Sequence, residues 1–220
     1  MPRSAQFIKS FIKSHMSVSN GMKKIFLALS FALAACSTPP VKTASEAPTG
    51  DYRLDPTHAS VTWSLSHAGL SNYTARFDDI SGALNFDSSA PENSQVNILI
   101  NPASVSTGLE KFDQELASSG KYFDSKTYPD IRFVSTSIEK TSDETGVITG
   151  DLTLKGVTRP ITLEARFNGA GKSFGNPGKT LGFSASGKLS RSEFNMGHLV
   201  AFGIGDEVTL RIETEFNEAQ

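Results

Sequence analysis

Cysteine is almost absent from this sequence, which contains a single one, Cys36, in 220 residues. A lone cysteine cannot form an intramolecular disulfide bond, so packing and hydrogen bonds must hold the fold together. The sequence also lacks a basic cluster after Cys36. Five of the 21 Lys and Arg residues and none of the 23 Asp and Glu residues precede Cys36, so acidic residues outnumber basic ones in the rest of the chain. The remaining chain is acidic and poorly suited to neutralising phosphates, so we expect no nucleic-acid partner.

The sequence also lacks an apolar run long enough to span a bilayer. Its longest apolar stretch, 25–35, follows two lysines and ends at Cys36, which is the layout of a secretory signal. The Leu-Ala-Ala-Cys that closes this stretch resembles the bacterial lipobox. That resemblance implies a lipoprotein signal peptide over residues 22–35 and attachment of acyl chains, palmitate among them, to Cys36. Residues 1–21 precede a better start at Met22, and we interpret them as a coding sequence assigned too far upstream.

The residues after the cysteine suggest where such an anchor would lie. Two or more acyl chains are enough for stable anchoring. Ser37 occupies the position at which an aspartate would indicate retention in the inner membrane, so we expect the periplasmic side of the outer membrane. Residues 36–50 mix Pro, Thr, Ser and Ala without apolar periodicity and are predicted to be a tether. A plain signal peptide with a chance cysteine is the alternative.

The dominant pattern after residue 50 is alternation of apolar and polar residues, which is typical of strands with one buried face. The predicted strands are 61–67, 73–77, 83–86, 95–100, 131–138, 147–155, 161–167, 181–189 and 208–213. Leu109, Phe112 and Leu116 instead have helical spacing, which predicts a short amphipathic helix over 108–119. So many one-faced strands must close into a barrel or stack as a sandwich, and spacing alone leaves both open.

The predicted inward faces mix large and small residues. Aromatic residues such as Trp63 share these faces with Ala165, Ala185 and Gly187. An eight-stranded barrel is wide enough to hold one small ligand if its lining is not all large. Small residues also fit the taper of a solid barrel, so the pattern leaves a hollow carrier and a solid structural barrel equally open.

Two patterns could indicate catalysis. Residues 171–175 match the G-x-S-x-G nucleophile elbow around Ser173, but that motif requires a helix after the serine, where this chain continues Asn-Pro-Gly. The histidines that follow the signal, His58, His67 and His198, lack the close spacing usual for zinc ligands. We therefore expect a glycine-rich turn, no catalytic residue and no metal, with a hydrolase or metal-dependent enzyme as the minor alternative.

His67 falls on the apolar face of its predicted strand, together with Trp63 and Leu65. A histidine in such a place is either a structural residue whose ring nitrogens are both hydrogen-bonded or a polar handle for the head group of a ligand. The sequence leaves both interpretations open.

Five stretches of the sequence resemble the YceI family of bacterial envelope proteins. They are YRLDPTHASVTWSLSHAGLSNYTARFDDISGAL from residue 52, VNILINPASVSTG from 96, YFDSKTYPDIRFVSTSI from 122, VITGDLTLKGVTRPITLEARFNG from 147 and RSEFNMG from 191. The resemblance runs from residue 52 to residue 216. Its most specific parts are GDLTLKGVTRPITL and YPDIRF, in which turn and strand residues recur in a fixed order.

The resemblance implies an all-β domain over residues 51–218, namely a lipocalin-like antiparallel β-barrel of about eight strands with a short helix. It also implies a long apolar channel that binds polyisoprenoids such as isoprenoid quinones, with no catalysis, metal or cofactor. The family usually has Arg-Asp-x-His-Leu near the helix, whereas residues 112–116 read Phe-Asp-Gln-Glu-Leu. The loss of both basic groups favours a neutral quinone over a pyrophosphate.

We therefore predict non-catalytic binding or transport of an isoprenoid quinone or polyprenyl lipid in the bacterial periplasm. The expected partners are this amphiphile and the membrane reached by the acyl chains on Cys36, and a homodimer is left open. The residues predicted to contact the ligand are Trp63, Leu65, His67, Phe77, Phe112, Phe133, Phe183 and Ala185. The alternative is a structural or stress-related envelope lipoprotein with a solid barrel.

Overall fold

The computed structural model describes residues 39–173, 176 and 178–219. These residues contain eleven strands, one α-helix and several short 3-10 turns. The strands are β1 (Gly50–Leu54), β2 (Ser60–His67), β3 (Ser71–Phe77), β4 (Ile80–Phe86), β5 (Gln95–Ile100), β6 (Val105–Ser106), β7 (Ile131–Lys140), β8 (Thr145–Leu154), β9 (Val157–Gly171), β10 (Thr180–Ser190) and β11 (Ile204–Glu218). The helix, α1, is Glu110–Ser118.

Eight of the strands close into an antiparallel barrel. The order around the ring is β1-β4-β5-β7-β8-β9-β10-β11, and β11 pairs back with β1. Residues 204–213 of β11 pair with β2, and residues 216–218 pair with β1. Strands β2, β3 and β6 therefore extend the wall at one end. The structure confirms the predicted all-β barrel and decides against a sandwich.

Side-chain alternation explains how the strands form this wall. In β9, Leu163 and Phe167 are buried, whereas Thr162 and Glu164 are exposed. Successive side chains of a strand point to opposite faces, so one face carries the apolar set and the other the polar set. Burial of the apolar face inside the ring is favourable because it removes that surface from water.

The barrel has two ends, which we name by what they carry. The hairpin end carries the β7–β8 turn, 141–144, and the N-terminal segment, 39–49. A hydrogen bond of 3.3 Å from the backbone of Ala44 to the turn joins the two. The helix end carries α1, the β2–β3 turn at 68–70 and the β10–β11 loop at 191–203.

The N-terminal segment packs against the barrel, although the sequence predicts a tether over 36–50. Val41 exchanges two backbone hydrogen bonds of 2.8 Å with Ala170 of β9, and the side chain of Ala47 is buried. The pairing of Val41 with Ala170 is a single bridge, so it produces no apolar periodicity in this Pro- and Thr-rich stretch. The sequence therefore gives no sign of it. The prediction is corrected accordingly for the described part of this stretch. Cys36 and the predicted signal peptide lie outside the described residues.

Helix α1 confirms the predicted short helix. The carboxylate of Asp113 accepts hydrogen bonds from the backbone N–H and the hydroxyl of Thr107, at 2.7 and 2.6 Å, which fixes the first turn. At the other end, the backbone N–H of Phe123 donates to the carbonyl of Leu116. Within the described part of the chain, no helix combines the length and the hydropathy needed to cross a membrane.

Candidate functional site

A cavity of about 430 Å³ occupies the interior of the barrel. This volume lies within the range of about 300–1,000 Å³ that is usual for ligand pockets. The lining residues are predominantly aliphatic and aromatic, and they extend from Tyr73 and Leu199 at the helix end to Lys140 and Thr145 at the hairpin end. The barrel is therefore hollow along much of its length, and we call this cavity the channel.

The structure places all eight predicted ligand-contacting residues in the wall of the channel. Phe77 and Phe133 are buried, and His67 is exposed at the helix end. The eight lining residues are Trp63, Leu65, His67, Phe77, Phe112, Phe133, Phe183 and Ala185. Alternation within β2, β3, β7 and β10 directs seven of them inward, and α1 supplies the eighth. Their contact with a ligand stays a prediction.

The small inward residues do not all contribute to the hollow. Ala165 and Ala185 lie opposite each other on β9 and β10, and both line the channel. Gly187 does not line it, because the Cδ2 atom of Leu163 lies 2.6 Å from the place that a Cβ of Gly187 would occupy. The two alanines therefore leave open space, whereas the space at Gly187 is filled by its neighbour.

Aromatic rings pack closely at the hairpin end. The rings of Phe86 and Phe167 are stacked, with centroids 6.4 Å apart. Phe183 packs edge-to-face against Phe167 at 5.4 Å and against Phe216 at 6.1 Å. Such pairs are each worth about 0.5–1.5 kcal/mol beyond the area they bury. This cluster lines the channel near the hairpin end, where the lining continues to the polar residues Lys140 and Thr145.

Aromatic contacts also connect the segments of the helix end. The ring of Phe112 lies 5.9 Å from that of Tyr73 and 6.4 Å from that of Tyr122, and Tyr122 lies 5.6 Å from His198. All four line the channel. The alternation of β3 could have identified Tyr73, but Tyr122 and His198 lie in irregular segments that carry no periodic signal.

Arg191 fixes the β10–β11 loop at this end of the channel. Its buried guanidinium donates to the backbone carbonyls of Gly205 at 2.8 Å, His198 at 2.9 Å, Ile204 at 3.0 Å and Met196. Burial lowers the pKa of this group, an effect partly offset by Asp206. A guanidinium remains protonated in proteins, so the channel wall holds a cation whose donors are engaged by main-chain oxygens.

Trp63 and His67 occupy different depths of the channel. The indole N–H of Trp63 is buried without a hydrogen-bond partner among the described residues, and its ring packs edge-to-face on Phe123 at 6.4 Å. His67 is exposed at the helix end and lines the channel. The exposed ring is accessible from the mouth, and a role as a polar handle stays a prediction.

Ser173 and His58, which were considered for catalysis or metal binding, each have a carboxylate partner. The hydroxyl of Ser173 donates to Glu215 at 3.2 Å, and His58 is bonded to Asp55 at 3.0 Å in a turn beside β1. In the residues that the structure describes, no three His, Cys, Asp or Glu side chains are grouped so that they could hold a metal ion. The arrangement that the geometry supports is an apolar channel with a polar mouth.

Comparison with known proteins identifies relatives over most of the chain. A family model described as the YceI-like domain matches residues 52–216. Protein YceI of Escherichia coli O157:H7 is 40% identical over 177 residues, which cover 80% of this chain and 88% of that protein. The crystal structure of a Campylobacter jejuni YCEI protein superposes with a TM-score of 0.62 at 32% identity, covering 70% of this chain and 90% of that chain.

Another solved structure shares the fold at low sequence identity. It is a domain from Saccharophagus degradans, described as a polyisoprenoid binding domain implicated in plant cell wall breakdown. It superposes with a TM-score of 0.57 at 14% identity, covering 78% of this chain and all of that one. The family match extends from β1 into β11 and so contains most of the closed barrel and of the channel wall. The chain therefore belongs to the family of proteins with a YceI-like domain.

Proposed function

We propose that this protein binds an isoprenoid amphiphile in its channel, without catalysis, on the periplasmic side of the bacterial envelope. The observation that carries the proposal is the continuous apolar interior, open at a mouth where polar side chains gather. A solid structural barrel has no such interior. The description of the Saccharophagus degradans domain as polyisoprenoid binding supports the same class of ligand.

The size of the channel allows useful affinity. At about 30 Å³ for each water-sized group, a cavity of about 430 Å³ holds roughly 14 methylene equivalents. Each contributes about 0.8 kcal/mol when removed from water, or about 11 kcal/mol in all. Association costs at least about 4 kcal/mol, which leaves at most about 7 kcal/mol and a Kd no tighter than the micromolar range. A longer isoprenoid must extend beyond the channel.

The helix end is the proposed site of the head group. His67, Tyr73, Tyr122 and His198 line the channel there, and their side chains are suited to hydrogen bonds with carbonyl oxygens. Arg191, the cation in this part of the wall, has its guanidinium bonded to four backbone carbonyls. This arrangement favours a neutral head group, and we propose an isoprenoid quinone.

The membrane anchor is part of the proposal. The lipobox-like sequence ending at Cys36 supports acylation of that cysteine and attachment to the outer membrane. Mass spectrometry of the N-terminal peptide from protein expressed in a bacterium tests this: we expect a diacylglyceryl and acyl mass on Cys36. An unmodified N-terminus would contradict the anchor and leave the channel's ligand unaffected.

The ligand itself can be tested directly. We expect organic extraction of the purified protein, followed by mass spectrometry, to yield an isoprenoid quinone or polyprenyl lipid. The chain has a single tryptophan, and it lies in the channel wall, so added quinone should quench Trp63 fluorescence in a saturable way. Extracts free of lipid together with an absence of saturable quenching would refute the proposal.

A further inference from the structure

The helix end of the barrel carries most of the exposed large apolar side chains. Among the described residues there are five, and four of them lie at this end. Leu70 is 86% exposed, Phe202 81% and Leu109 64%, and Leu199 is also exposed. The fifth, Leu99, lies on β5 in the side wall. Single exposed leucines are ordinary, but a concentration of them marks an interaction site.

These four side chains surround the mouth of the channel. Leu70 lies in the β2–β3 turn and Phe202 in the β10–β11 loop, and a backbone hydrogen bond of 2.9 Å joins the two connections. Leu199 itself lines the channel. The carbonyl of Leu109 accepts a hydrogen bond from the backbone of Phe112, which also lines it. The apolar interior therefore continues onto the outer surface here.

Three stretches of sequence that carry these side chains contain no charged residue. Residues 56–75, 93–109 and 194–205 contain no Asp, Glu, Lys or Arg, although one fifth of the chain is charged. A surface that enters the boundary between head groups and acyl chains must avoid charged groups, because their desolvation is costly. These stretches have no basic residue, and α1, which follows Leu109, has three acidic residues, Glu110, Asp113 and Glu115, against the single Lys111. Neither therefore gives anionic lipids a special attraction for this surface.

We propose that the helix end docks on the surface of a zwitterionic lipid bilayer. The four apolar side chains, which we call the apolar tips, insert between the head groups, and the mouth of the channel opens towards the acyl chains. The tips project from three connections, two of them from the β10–β11 loop, and such separate projections suit a fluid surface. Docking by itself needs no ligand, whereas the passage of an amphiphile from bilayer to channel rests on the proposed function.

Insertion can be tested with a fluorescent label. The chain has one cysteine, so Cys36→Ala removes both the only native thiol and any acyl anchor. Adding Phe202→Cys gives a single site for an environment-sensitive nitrobenzoxadiazole label, and Leu99→Cys gives a matched control on the side wall. On addition of phosphatidylcholine vesicles, we expect a blue shift at position 202 and quenching by brominated acyl chains. Position 99 should show neither.

Two results would overturn the docking proposal. One is an unchanged label at position 202 at saturating vesicle concentration, or equal changes at both positions. The other is a blue shift at position 202 that occurs without vesicles and grows with protein concentration, which would assign the apolar tips to a contact between two copies of the chain. The residues before Pro39 are common to both labelled proteins, so the comparison cancels their contribution.

A transfer experiment separates docking from ligand binding. We expect Leu70→Ser with Phe202→Ser to bind decylubiquinone delivered from ethanol with unchanged affinity, read by Trp63 fluorescence. Uptake of the same quinone from phosphatidylcholine vesicles should slow at least about tenfold, because two apolar contacts with the bilayer are lost. Leu99→Ser should change neither. Normal affinity with an unchanged vesicle rate would refute docking, whereas no binding by either route would refute the proposed function.

Discussion

At the scale of single residues, Asp55 holds together the junction at which the chain leaves β1 and enters β2. Its carboxylate accepts hydrogen bonds from the backbone and the hydroxyl of Thr57, at 2.9 and 2.6 Å, and is bonded to His58 at 3.0 Å. It also accepts a bond from the side chain of Asn217 in β11, at 3.0 Å. One carboxylate therefore caps a turn and links it to the last strand.

Asp55→Asn should weaken this junction. The amide retains one acceptor oxygen but places an NH₂ group opposite donors, so we expect the free energy of unfolding at pH 7 to fall by about 1–3 kcal/mol. Urea denaturation followed by circular dichroism measures it. Asp143→Asn is the control, since that side chain is 74% exposed and its ion pair with Lys140 should be worth less than about 1 kcal/mol.

The same residue gives a pH dependence. The hydroxyl of Thr57, followed by His58, holds the pKa of Asp55 well below its ordinary value of 3.8. A lowered folded-state pKa gives stability that is complete above that ordinary value and is lost as the pH falls below it. We expect the stability of the wild type to drop from pH 5 to pH 2 more steeply than that of Asp55→Asn. Parallel acid curves would contradict the assignment.

Arg191 should tolerate no replacement by lysine. A lysine ammonium cannot reproduce the planar fork that reaches four carbonyl oxygens, so buried acceptors would be left unpaired. We expect Arg191→Lys to lower the free energy of unfolding by about 2–4 kcal/mol and to speed hydrogen exchange in residues 196–204. The control Arg211→Lys lies on the exposed face of β11 and should change stability by less than about 0.5 kcal/mol.

The sequence predicts which residues face the barrel interior where apolar and polar residues alternate along a strand. The alternation in β2 and β10 predicts that Trp63 and Ala185 face the interior, and both line the channel. Tyr122 and His198 could not be found in this way, because their positions depend on how irregular segments cross the helix end. The sequence also does not predict that Arg191 binds the β10–β11 loop. The four carbonyl oxygens that accept its hydrogen bonds come together only when that loop has folded.

At the scale of elements, the N-terminal segment docks beside a glycine that no other residue can replace easily. Gly169 in β9 has a φ of +145°, and a Cβ there would lie 2.8 Å from the carbonyl oxygen of Val41. Both facts oppose a side chain at this position. The contact between the segment and the barrel therefore depends on the absence of one methyl group.

Gly169→Ala should loosen the N-terminal segment. We expect a loss of about 1–3 kcal/mol, the usual cost of backbone strain, and faster hydrogen exchange at the amide of Val41. Gly171→Ala is a matched control in the same strand, because its Cβ would meet only Pro40, at an ordinary 3.6 Å. If the two variants behave alike, the close approach at Gly169 is not what holds the segment.

Strands β2 and β10 were predicted to within one residue at each end, whereas the predicted strand 161–167 covers only the middle of β9, Val157–Gly171. Neither the two-residue β6 nor the docked segment around Val41 was predicted. A pairing of one or two residues depends on the position of a distant strand, and the local sequence does not contain that information. Helix α1 was predicted by its spacing and agrees with the structure to within two residues at each end.

At the scale of the whole molecule, two alanines on the same sheet distinguish hollow from packed space. Ala185 lines the channel, whereas Ala170 is 4% exposed and belongs to the packed core. We expect Ala185→Leu to leave the free energy of unfolding within about 1 kcal/mol of wild type and to lower quinone affinity several-fold. Ala170→Leu should cost about 1–3 kcal/mol through overpacking. Fluorescence titration and urea denaturation measure the two effects.

The existence of a hollow could not be decided from the sequence. Small inward residues were equally compatible with a solid barrel, and Gly187 shows why, since the side chain of Leu163 fills the space beside it. Cavity volume depends on how side chains from all strands meet in three dimensions. A residue pattern along one strand contains only part of that information.

The position of β11 determines when the molecule can become complete during its synthesis. This last strand pairs with β10, β1 and β2, so the ring stays unclosed until residues 204–218 have left the ribosome. Until then the earlier strands expose unpaired backbone edges, which are prone to aggregation. The arrival of β11 therefore converts an open sheet with exposed edges into a closed barrel, and loss of this strand would leave those edges unpaired.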